Sequence, residues 1–160
     1  MSFLYLDANV SVKNYVNEPG TTWVQKLINQ KDITGKFTNI IFTVEISLVE
    51  VAAAFSILQR LGRIRKKVRD QAFNLFFYDI TTRYRIIPVT SSLLLNAAFL
   101  TQRYPLKGYD AVQLAAAHKL HLALKKHNIE MTLISGDRQL LNAAIDKKII
   151  VDNPYDHIAT

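Results

Sequence analysis

The chain has 160 residues, 49% of them apolar, and a formal net charge of +7. That length and apolar share fit one domain with a sizeable core and exclude a disordered chain. The absence of cysteine excludes disulfide scaffolds, thiolate metal sites and cysteine nucleophiles, and the positive charge suggests an anionic partner, nucleic acid being the commonest.

The opening MSFLYLDANV lacks the basic flank and long apolar stretch of a secretory signal. Within it FLYLD reads as a first strand, followed by a helical segment from Ala8 to about Val16. Residues 17–20, NEPG, break that helix, because proline cannot continue it and glycine permits the turn. TTWVQKLINQ reads as a second helix, NIIFTV as a β-branched strand, and SLVEVAAAFSILQRLG as a helix ending at Gly62. The next helix, IRKKVRDQAFNLFFYDITTRY, is basic at its start and apolar later. Arg60, Arg63, Arg65, Lys66, Lys67 and Arg69 make this join the most basic stretch of the chain; it reads either as a phosphate-tracking surface or as a solvated face.

RIIPV is a strand, SSLLLNAAFLTQRY a serine-capped helix, and YDAVQLAAAHKLHLALKKHN a long helix. MTLIS is a strand, DRQLLNAAIDKK a helix and KIIV a last short strand, leaving NPYDHIAT as a tail outside the core. No run approaches the ~20 apolar residues of a membrane helix. Strands alternating with helices predict a parallel sheet covered on both faces. The expected organisation is one α/β domain over residues 1–152 and a tail over residues 153–160, in the cytoplasm, where a cysteine-free chain is at home.

In such a sheet, ligands bind beyond the carboxyl ends of the strands. Asp7 ends the first strand, Glu50 lies one turn into the helix after the second, Asp110 opens the long helix, and Asp137 follows MTLIS. Each has a plainer reading. Asp110 and Asp137 suit helix N-caps, and Ser47-x-x-Glu50 matches a capping box. Against this, Glu50 lies in LVEVAAAF and Asp7 after an apolar strand, where a carboxylate is costly unless paired or bound to metal. Four acids at one rim repel one another unless a cation sits among them, and oxygen-only ligands suit Mg2+ or Mn2+.

Four segments carry a resemblance to a known family. DANVSVKNYVNEPG, SLVEVAAAF, GYDAVQLAAA and LISGDRQLLNAA resemble, in order and approximate spacing, the acidic motifs of PIN-domain toxins of the VapBC toxin–antitoxin type. The resemblance implies a three-layer α/β/α PIN-like domain with a central, mainly parallel sheet. It implies that Asp7, Glu50, Asp110 and Asp137 form an acidic metal site, with Ser135 orienting the last carboxylate or a metal-bound water. It further implies an Mg2+-dependent endoribonuclease (Mn2+ being a substitute) with an RNA substrate and a cognate antitoxin, and the apolar excess on the helices suggests a homodimer. Ser135 stands where the family usually has threonine, and Gln113 where an apolar residue or histidine is more usual. Glu45 is an alternative to Glu50 as the helix acid; Glu50 is preferred because Glu45 reads as the solvent-facing end of a strand.

Lys13 and Lys107 flank the acidic motifs as candidate phosphate contacts. His118 and His121, i and i+3 on one helix, lack the further ligands of a zinc site. Trp23, Leu27, Phe55 and Leu58 are candidates to line an antitoxin groove, and the helix holding FLTQRY a dimer contact. Among rivals, a haloacid-type phosphatase needs Asp-x-Asp where this chain has Asp7-Ala8-Asn9. A dinucleotide fold needs a GxGxxG that is absent. The remaining alternative is a non-catalytic PIN-like module that binds RNA or protein.

Overall fold

The computed structural model describes residues 1–158; Ala159 and Thr160 of the expected tail lie outside the described residues. Five strands, β1 (Phe3–Leu6), β2 (Ile40–Val44), β3 (Arg85–Ile87), β4 (Met131–Ile134) and β5 (Ile150–Asp152), form one sheet in the order β3-β2-β1-β4-β5. Every pairing is parallel. The two-residue period of a strand sends alternate side chains to opposite faces. In β1, Leu4 and Leu6 enter one core while Tyr5 enters the other.

Helices α1 (Ala8–Lys13), α2 (Thr21–Asn29), α3 (Ser47–Arg60) and α4 (Lys66–Thr82) cover the first face. The second carries α5 (Ser91–Arg103), α6 (Gly108–Lys125) and α7 (Arg138–Asp146). The result is the expected three-layer α/β/α arrangement. The chain leaves β1 toward β2 and β3, then returns to β4 on the opposite flank of β1. That reversal opens a crevice at the carboxyl ends of β1 and β4, the place where such sheets bind ligands.

Three local readings are corrected. α5 is capped by Thr90, whose Oγ1 accepts the Leu93 amide at 3.1 Å, and not by serine. The segment after β5 is not outside the core: Asn153 and Pro154 are buried, and Pro154–His157 forms a 3-10 turn against α2. There His157 stacks on Trp23 at 4.1 Å between ring centres. Gly20 meets this turn at φ +88, where an added Cβ would stand 3.0 Å from Pro154, so only glycine fits. The candidate groove also closes, because Phe55 and Leu58 are core residues.

Phe55 packs edge-on against Tyr15 and Phe76 with no exposed surface. Phe55→Ala is therefore expected to lower the unfolding free energy by about 3–5 kcal/mol, read from urea denaturation. A loss below about 1 kcal/mol would mean that this core collapses around the gap.

Candidate active site

Asp7 begins the β1–α1 junction, its amide donating to the Ile134 carbonyl of β4 at 3.1 Å. The residue is 3% exposed. Oδ2 accepts from Ser135 Oγ and from Asn9 Nδ2, each at 2.6 Å. Ser135 Oγ in turn accepts the Asp137 amide at 3.0 Å, and Asn9 Oδ1 accepts the Gly136 amide at 3.1 Å. Ser135 and Asn9 thus tie the loop after β4 to the carboxylate after β1. Ser135 braces Asp7 directly, whereas the resemblance had implied a role at the last acid or a water.

Glu50 is half-buried in the first turn of α3. It does not close a capping box: Ile46 holds the cap position, with no side-chain cap bond. Glu50 Oε1 instead accepts Gln113 Nε2 at 3.0 Å. That same nitrogen donates to Ser47 Oγ at 2.9 Å, and Tyr5 donates its hydroxyl to Gln113 Oε1 at 2.8 Å. Gln113 is fully buried. The departure noticed in the sequence is thus the residue that holds the helix acid in place. Glu45 is exposed, with its Oε2 taken by the Val89 amide at 2.9 Å.

Asp110 is the third residue of α6, behind Lys107 at the cap, so it does not cap that helix. Asp137 does cap α7, its Oδ1 accepting the amides of Gln139 and Leu140 at 2.8 and 3.2 Å. Capping occupies one carboxylate oxygen and leaves the other. Glu50, Asp110 and Asp137 line an open depression of about 550 Å3 together with Lys107, Gly108 and Tyr109. Asp7 lies buried beside them.

Burial pushes the Asp7 carboxyl up to about 7; the Ser135 hydrogen bond opposes this, while Glu50 and Asp110 add to it. Glu50 is raised by burial, against the Gln113 bond, and further by Asp110. Asp110 is raised by burial and by Asp137, with Lys107 opposing. The repulsion runs from acid to acid, and among the described residues none of the four forms an ion pair.

Oxygen donors, a buried carboxylate without a counter-charge and an open mouth fit a hard divalent cation that keeps part of its water. They do not form a closed cage: among the described residues, no three acidic or imidazole side chains surround one point at ligand distance. Of the lysines, Lys107 is exposed at the depression. Lys13 is buried, 3.2 Å from Glu18 and 3.3 Å from the Tyr155 hydroxyl, and is not free to meet a phosphate. The basic stretch is partly paired internally, Lys66 and Arg69 both meeting Asp70.

A family model described as PIN domain matches residues 4–146. Among curated proteins no sequence matches. Similar solved structures include VapBC2 from Rickettsia felis bound to a DNA fragment from its promoter, with 15% identity, TM-score 0.56, and 94% of this chain and 98% of that one covered. The FitAcB structure from Neisseria gonorrhoeae has 17% identity and TM-score 0.55, covering 95% and 98%. The sarcin-ricin loop cleaving toxin VapC20 of Mycobacterium tuberculosis has 17% identity and TM-score 0.58, covering 88% and 94%. At these identities the likeness speaks to the fold.

Two outcomes are expected. The folded pKa of Asp7, about 7, exceeds its unfolded value near 4. As pH rises the unfolded chain releases this proton first, so Asp7 subtracts stability progressively between about pH 4 and pH 7 and nothing below that window. Without divalent cations, Asp7→Asn is expected to exceed wild type by roughly 2–4 kcal/mol at pH 8 and to match it at pH 4; equal urea midpoints at pH 8 would contradict the shift. Gln113→Leu, which strands the buried Tyr5 hydroxyl, is expected to cost about 1–3 kcal/mol by the same assay. A neutral result would mean that Tyr5 and Glu50 find other partners.

Proposed function

Since the chain belongs to the PIN-domain family, we propose that it is a metal-dependent endoribonuclease and the toxin of a type II toxin–antitoxin pair. What supports this reading is the depression lined by Glu50, Asp110 and Asp137 with the buried Asp7 beside it, none of the four in an ion pair among the described residues. Asp7, Glu50, Asp110 and Asp137 would hold Mg2+, with Mn2+ as a substitute. The chemistry such an ion would supply is a lowered pKa for water and charge stabilisation on a phosphodiester undergoing in-line displacement. Ser135 and Asn9 fix the Asp7 carboxylate, Gln113 fixes Glu50, and Lys107 offers a cation to the RNA backbone. No serine, cysteine or histidine nucleophile is required.

The similar VapBC2 structure and the sarcin-ricin loop cleaving toxin VapC20 support the reading by analogy. Phe73 of α4 is exposed and lines a 410 Å3 groove shared with α3, and Phe77 and Tyr78 are exposed further along α4, a surface suited to an antitoxin segment. α5 leaves Leu95 and Phe99 exposed, suited to a second copy of the chain. Among the described residues no helix is long and apolar enough to cross a membrane, and we assign the protein to the cytoplasm. The second reading, a non-catalytic RNA- or protein-binding module, draws on the absence of a closed three-acid cage.

Cleavage of RNA in Mg2+ distinguishes the two. Asp7→Asn, Asp110→Asn and Asp137→Asn are each expected to lower the rate more than about a hundredfold, with circular dichroism unchanged, and EDTA to abolish it. A variant that cuts at the wild-type rate, or wild type active in EDTA, would remove the metal-site reading. No cleavage by folded wild type would favour the binding module.

A further inference from the structure

One aromatic ring lines the acidic depression. Tyr109 stands between Gly108 and Asp110 in the first turn of α6, 57% exposed, and lines the depression with Glu50, Asp110 and Asp137. The neighbouring Lys107 is exposed at the cap of that helix and lines the same depression. The core of this face takes the residues just after them: Ala111 to Ala117 are all buried. The first turn therefore projects an aromatic face and an ammonium past the buried part of α6 and beside the carboxylates. Ala111 and Leu114 of the same helix belong to the core, whereas Tyr109 belongs to neither core cluster.

From this juxtaposition we infer that Tyr109 is the base platform of the site: a nucleobase of single-stranded RNA stacks on its ring while Lys107 meets an adjoining phosphate. The inference rests on the reading of the depression as an RNA site and adds the residue that sets the strand's register over the acids. An aromatic face gives sequence-tolerant affinity, because every base presents a π surface. A lysine contact adds a salt-dependent contribution and no sequence information. Tyr109 and Lys107 hold the strand; neither moves a proton or carries metal.

The test uses the full chain with Asp137→Asn to keep the RNA intact, in Mg2+. Short single-stranded RNAs carry 2-aminopurine at a position scanned along the strand, and matched RNAs carry an abasic residue there. Adding Tyr109→Ala is expected to weaken binding of the base-bearing RNA about tenfold and to remove the 2-aminopurine quenching, with little effect on the abasic RNA. Tyr109→Phe keeps the ring and is expected to stay within about twofold. Affinity unchanged by Tyr109→Ala, an equal loss on both RNAs, or no RNA binding by the parent chain would each overturn the inference. So would loss of a dimer in sedimentation with RNA affinity intact, which would give the ring to a protein contact. Tyr109-dependent binding combined with no cleavage by wild type would leave the inference standing and remove the nuclease reading instead.

Discussion

Asp7 is a carboxyl group placed where water barely reaches it, and among the described residues no cation pairs with it. Its position follows from the chain path. β1 is the central strand, flanked by β2 and β4, and its next residue must lie at the bottom of the crevice. Two short hydrogen bonds, from Ser135 and Asn9, hold the carboxylate. Hydrogen bonds orient the carboxylate and lower its cost, but the repulsion from Glu50 and Asp110 is relieved only when the group takes up a proton or a cation binds. The loops after β1 and β4 are joined through these same two side chains, so the local architecture of the rim depends on how that one charge is satisfied.

The opposite wall is organised by neutral groups. Thr43 donates to the Leu6 carbonyl and approaches Ser47 Oγ at 2.8 Å. Ser47 accepts from Gln113, which also receives Tyr5 and donates to Glu50. Four elements, β1, β2, α3 and α6, thus meet in one buried polar network with every member partnered, the condition under which such a network specifies a single arrangement. The network ends on Glu50, so the more solvated acid is positioned from the core outward. Asp137 is positioned differently, by the amides at the start of α7. Buried bracing, a neutral network and a helix end deliver three acids to one rim.

Much of this could be read in the sequence because the signals were local. Alternating apolar runs marked the strands, Gly62 and Pro19 marked breaks, and acids at strand ends marked the rim. What could not be read depends on partners far apart in the chain. Gln113 stood out as unusual, yet its partners at positions 5, 47 and 50 are brought to it only by the sheet. Lys13 looked like a free cation because Glu18 and Tyr155 fold over it. The tail looked solvated because its anchors, Gly20 and Trp23, belong to the start of α2. Thr90 lost its capping role to Ser91 in the reading because adjacent hydroxyls give the same local signal, and only the backbone conformation chooses between them.

On the proposed reading the rim receives a divalent cation at the buried carboxylate. Calorimetric titration of Mn2+ into the intact chain at pH 8 tests it without reference to any RNA. Saturable binding that disappears in Asp7→Asn and persists in Glu45→Gln is the predicted result. No saturable heat in the wild-type chain, or the same isotherm in Asp7→Asn, would contradict the account.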